Sequence, residues 1–168
     1  SPPVIRALLR QLVGRAGVTE SAISVYDAAR NINDPVFSLF HPEFPGVRFV
    51  DNDGLNGRVK AIKEDSVPVY YSGAGAGASG TTRLPKCVVD SPYLSNLALL
   101  RGHTRAGVTL CGKNHFGSVW RDTTTDDGWK PDNLHPSVDR SNPMGSYNCL
   151  VDLAGLGDAF GQGKSIGE

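Results

Sequence analysis

The order of two patterns near the start restricts the fold most: an amphipathic helix, then a short β-branched run. Ser1 is a good N-cap, and proline in the first helical turn, at Pro2 and Pro3, loses no hydrogen bond that a helix start needs. Val4, Ile5, Leu8, Leu9, Leu12 and Val13 recur at helical spacing with Arg6, Arg10 and Gln11 off the stripe, which predicts a helix ending between Gly14 and Gly17. Ala22 to Tyr26 then reads as a buried strand closing at Asp27. Helix followed by strand is the grammar of a layered domain. The expectation is an α/β fold, a single layered domain with a mixed or mainly parallel sheet flanked by helices. Ligands of such sheets gather outside the carboxyl ends of the strands, which makes Asp27 a candidate site residue. The alternative is that its carboxylate caps the segment from Ala28 onward.

The rest of the chain continues the alternation. Asn33-Asp34-Pro35 starts a short helix through Phe40, with a cap at Asn33 or Asp34, and His41 follows as a surface loop residue. Val47 to Val50 is a strand ending in the turn Asp51-Asn52-Asp53-Gly54. Val67 to Tyr71 is a strand placed at an edge, because Pro68 cannot donate to a ladder. Lys86 to Val89 reads as another strand, Arg121 to Pro143 as a long polar loop, and Tyr147 to Ala154 as a last helix.

Composition narrows the class of partner. At 168 residues the chain has the size of one domain, and its seventeen basic and seventeen acidic residues cancel. No global field recruits nucleic acid or an anionic membrane, so anion binding has to be local. No apolar run approaches the roughly 20 residues of a membrane span, and no signal segment opens the chain. Its start at Ser1 fits a processed or trimmed chain, which leaves the compartment open. Cys87, Cys111 and Cys149 lie far apart without a Cys-x-x-Cys pair and read as buried free thiols, one disulfide with a thiol left over being the alternative.

Three apparent motifs fail their own chemistry. Asp51, Asp53 and Gly54 start like a calcium loop, but the glycine comes too early. Gly75, Gly77 and Gly80 form a Gly-x-Gly-x-x-Gly after a strand, yet Pro85 blocks the helix whose N-terminus would hold a pyrophosphate. Gly163-Lys164-Ser165 lacks the earlier glycine of a phosphate loop, since Asp158 stands there.

The densest chemistry lies between Leu99 and Trp120, where Arg101, His103, Arg105, Cys111, Lys113, Asn114 and His115 crowd into one window. Ala106 to Phe116 contains no proline and is expected to be helical, its first turn beginning after Gly102-His103-Thr104. Free amides there, beside Arg101 and Arg105, would suit a carboxylate or phosphate. On a regular helix Cys111 shares a face with Asn114 and His115, whereas Lys113 and His115 point about 200° apart. The roles on offer are histidine as proton carrier or metal ligand, and lysine as electrostatic clamp or base. Neither His-Glu-x-x-His nor Gly-x-Ser-x-Gly is present. The competing reading is structural: Lys113 and Asn114 tie loops together, and His115 is a hydrogen-bonded core residue.

At these residues the chain resembles the DUF362 family, whose members are largely of unassigned function. The resemblance rests on Val88-Val89-Asp90-Ser91-Pro92, on Gly102-His103 with Ala106-Gly107-Val108-Thr109-Leu110, and on Lys113-Asn114-His115-Phe116-Gly117. It extends upstream to Ser1 through Val13 and Ala22 to Asp27, and downstream to Leu150-Val151-Asp152-Leu153. Arg101 stands where a lysine is common in the family, and the family's attached ferredoxin-type cysteine cluster is missing, so no iron-sulfur role transfers. Against that family the chain looks like a fragment or a minimal version. A looser likeness to the amino-terminal domain of nickel-dependent lactate racemases implies metal- or cofactor-linked chemistry on a small organic acid.

The resulting expectation is a site of His103, Lys113 and His115 with Asp27 at its rim. Arg101, Arg105 and Asn114 would hold an anionic ligand, and a divalent metal would sit on His103 and His115. A small-molecule enzyme or ligand-binding domain is the first reading, and a non-catalytic structural or assembly module the second.

Overall fold

A computed structural model describes residues 2–70, 81–103 and 107–120, with the side chains of 68–70, 81–82, Lys113 and Phe116 outside that description. The chain mixes helices and strands and divides into two compact units, Ser1–Ala61 and Ile62–Glu168.

In the first unit, helix α1 (Pro2–Gly14) is followed by strand β1 (Ser24–Asp27), helix α2 (Asp34–Phe40), and strands β2 (Arg48–Asp51) and β3 (Val59–Lys60). The strands form one parallel sheet in the order β1-β2-β3, with Tyr26 opposite Val50 and Asp27 opposite Asp51. The expected helix, strand, helix and strand are all present in this unit. The α1 stripe is narrower than its sequence suggests: Leu9 is buried, with Ile5 and Val13 packed beside it, whereas Val4 is exposed.

These residues close on Phe40, Phe44, Val47 and Phe49, which form the unit's apolar centre. Phe40 has no exposed surface at all. Helix α2 starts as the sequence requires. Asn33 is its N-cap, its side chain accepting from the Val36 amide at 3.0 Å, with proline in the first turn.

His41 departs from the expectation of a surface loop residue. It closes α2, is half-buried, and stacks on Phe37 with ring centroids 4.6 Å apart and its edge toward Phe49. The opposite partner of Phe37 is the Arg58 guanidinium, 4.4 Å from the ring centroid and paired with Asp34 at 2.7 Å. A ring wedged between apolar neighbours gains more by packing than a solvated loop offers.

In the second unit, β4 (Lys63–Tyr70) and β5 (Thr81–Pro85) form an antiparallel pair, and β4 begins four residues earlier than its apolar run. Lys86–Val89 is not the expected strand but a short helix, α3, and the strand lies just before it. Local bonds explain the difference: Lys86 pairs with Asp90 one helical turn on, and the Ser91 hydroxyl donates to the Cys87 carbonyl at 2.7 Å. Pro85 is fully buried beneath this turn and Leu84 beside it is buried too.

The expected helix over 106–116 is likewise replaced. Arg101–His103 (β6) and Gly107–Thr109 (β7) form an antiparallel hairpin, and only Cys111–Phe116 is helical, as α4. Gly107 explains the change, because its φ of +75° suits the residue that ends a tight hairpin turn and no residue inside a helix. Segment 95–100 has no regular structure, and of the cysteines expected to be buried Cys87 is only half-buried and Cys111 is exposed. The glycine-rich stretch, the long loop, the last helix and the tail read from the sequence lie outside the described residues.

Replacing Phe40 by alanine should cost about 3 to 5 kcal/mol, and removing the Asn33 cap as Asn33→Ala about 1 kcal/mol. Urea denaturation of each variant checks both; equal losses would contradict a core centred on Phe40.

Candidate functional site

The carboxyl end of the parallel sheet is the first place to look for a ligand, and its polar groups bond to one another and to the loops above. Asp27 is half-buried, and its Oδ1 accepts from the amides of Ala29 and Arg30 at 3.2 and 3.1 Å. Asp51, on the neighbouring strand, is 2 % exposed and accepts from Ile32 and Gly54 at 3.0 and 2.7 Å. Asn52 donates to the Ala28 carbonyl at 2.8 Å, and Asn31 donates to Asp53 at 2.6 Å. Gly54 is held at φ +68° where any Cβ would overlap the Lys60 backbone.

Asp27 therefore caps the segment from Ala28, the second of the two roles read from the sequence. Burial pushes its carboxyl up, opposed by the Ala29 and Arg30 amides and the Arg30 charge, while Asp51 adds to the rise. Asp27 belongs to the first unit, whereas His103, Lys113 and His115 belong to the second.

In the second unit the two halves of the dense stretch pair directly. His103 lies opposite Gly107, Gly102 opposite Val108 and Arg101 opposite Thr109. His103 is half-buried at the turn end of the hairpin and Arg101 is exposed at the open end, from which the chain enters α4. Arg105 lies outside the described residues. Lys113 has its backbone in α4.

Helix α4 is organised by a residue that the sequence does not single out. Asn96 Nδ2 lies 3.0 Å from the Cys111 carbonyl and 2.9 Å from His115 Nε2, while Asn96 Oδ1 accepts from Asn114 Nδ2 at 3.0 Å. One amide gathers three residues of the helix. The Cys111 carbonyl can only accept, which fixes the orientation of the Asn96 amide and makes His115 Nε2 an acceptor. Burial also holds the His115 imidazole below its usual pKa, in the same direction as a bond that only the neutral ring can receive. Asn96 left little trace in the sequence, being one amide within Leu94 to Leu100 whose partners are 15 to 19 residues away.

Of the candidate residues, then, the structure joins Asn114 and His115 through Asn96, and pairs the strand of His103 with the strand that leads into α4. Among the described residues no group of three or more His, Cys, Asp or Glu side chains is placed to hold a metal ion. The Nε2 of His115 lies 2.9 Å from the Asn96 amide nitrogen. No helix among the described residues is long and apolar enough to cross a membrane. Comparison with family models, with curated proteins and with solved structures finds no match to this chain.

Asp27 and His115, shifted in opposite senses, give opposite pH dependences. A histidine whose folded pKa is depressed loses stability as pH falls below its unfolded value of about 6.5. Between pH 7.5 and 5 the wild type should lose more folding free energy than His115→Gln, which keeps an acceptor for Asn96; equal slopes would contradict the depressed value. A carboxyl raised by folding favours acid instead, its contribution being full below the unfolded pKa and lost as pH rises through the folded one. Asp27→Asn keeps the cap without the buried charge and should be at least as stable as wild type at pH 7 by urea denaturation; a clear loss would contradict the assignment.

Proposed function

We propose that the second unit carries the functional centre of a small-molecule enzyme or ligand-binding domain of DUF362 type, built on His103, Lys113 and His115. Arg101, Arg105 and Asn114 assist in holding an anionic ligand such as a small organic acid. In this proposal the chain forms one layered α/β domain, its sheet flanked by helices, and the likeness to the lactate racemase amino-terminal domain suggests the class of substrate.

The observation that supports the reading is the pairing of the His103 strand with the strand that leads into α4, the helix of Lys113 and His115. The most specific part of the resemblance, Gly107 to Asn114, runs from the second strand of the hairpin straight into α4, and His103 is paired with its first residue. Gly102-His103 and the Gly107 to Asn114 block thus lie on neighbouring strands and the helix that follows. A half-buried imidazole held neutral is also a usual device for hydrogen bonding or proton transfer near neutral pH.

One fact favours the second reading, a non-catalytic structural module. Both amide hydrogens and the carbonyl oxygen of Asn96 are spent inside the segment, as a brace requires.

A thermal-shift titration separates the two, with acetate, lactate and inorganic phosphate as probes. A ligand present at 100 times its Kd adds about 2.7 kcal/mol to stability. In a ligand site, at least one probe raises the melting temperature, and His103→Ala and Lys113→Ala abolish that rise while leaving the unliganded melting temperature little changed. In a brace, no probe acts and the same substitutions cost about 1 to 3 kcal/mol.

A further inference from the structure

The orientation of one amide sets what the His115 ring can do. Asn96 Nδ2 has two hydrogens, one aimed at the Cys111 carbonyl and the other at His115 Nε2. Turning the amide over would set its oxygen against the Cys111 carbonyl oxygen and its nitrogen against Asn114 Nδ2, replacing an attractive contact by repulsion at each end. With Nε2 accepting, the neutral ring carries its hydrogen on Nδ1.

We infer that Asn96 is a positioning residue that locks His115 in the Nδ1–H tautomer, so that the ring serves its ligand as a hydrogen-bond donor and not as a base. The inference rests on the reading of this segment as a ligand site and specifies the ligand's chemistry. A group that meets this ring meets it at Nδ1–H, and must therefore bring an acceptor: a carboxylate or carbonyl oxygen. An ammonium or another donor finds no partner there. A neutral imidazole that donates to oxygen stabilises negative charge as it builds up, and costs no proton transfer to prepare. General-base work through Nε2 would first require the Asn96 bond to break.

The test is long-range proton–nitrogen NMR of the full chain at pH 7.5, with His115 signals assigned by their loss in His115→Gln. The expected spectrum has Nδ1 protonated and Nε2 unprotonated. Asn96→Asp replaces the donor by a carboxylate that only accepts, and should reverse the tautomer to Nε2–H. A wild-type ring protonated at Nε2, or a tautomer unchanged in a folded Asn96→Asp, would overturn the assignment; if that variant does not fold, the wild-type spectrum alone decides. Acetate and methylammonium are then titrated into the wild type. Acetate should shift the Nδ1–H resonance saturably and methylammonium should not. A locked Nδ1–H tautomer that ignores acetate would leave the role of Asn96 standing and overturn the ligand reading.

Discussion

The Asn96 side-chain amide bonds both ends of α4 from outside the helix. A helix of six residues makes few internal hydrogen bonds and leaves most of its terminal groups without partners. Asn96 adds a donor to the carbonyl of Cys111 at its start and bonds Asn114 and His115 near its end. Neutral hydrogen bonds contribute about 1 kcal/mol each, so the gain in stability is modest. Specificity is the larger effect: with the amide oriented by the Cys111 carbonyl, a neutral His115 can accept from it at Nε2 in only one tautomer.

The first unit solves a different problem. Its apolar centre, Leu9 with Phe40, Phe44, Val47 and Phe49, joins a helix to a parallel sheet. That sheet ends in carboxylates at Asp27 and Asp51 where ligands of α/β proteins often bind. Here those groups accept from loop amides and carry the connections themselves. Asp27 accepts this geometry at the cost of a carboxyl pushed upward by burial.

The sequence was most legible where the pattern was both local and periodic. Ile5, Leu9 and Val13 mark the buried face of α1, the strand at Ser24–Asp27 is β-branched and short, and Asn33 before Pro35 announces α2. It was least legible where a few bonds overrule composition. Cys87-Val88-Val89 looks like strand, but one ion pair and one hydroxyl bond hold it as a helical turn. Gly107 carries a hairpin signal inside a stretch whose freedom from proline also permits a helix. Asn96 could not be found at all by pattern, because its significance lies in partners distant along the chain.

A double-mutant cycle measures the coupling between Asn96 and His115 most directly. Folding free energies of Asn96→Ala, His115→Ala and the double variant, taken at pH 7.5, should show a coupling of about 0.5 to 1.5 kcal/mol, as residues sharing a hydrogen bond do. Losses that add to within about 0.3 kcal/mol would mean that the two side chains act independently, and the central claim would fail.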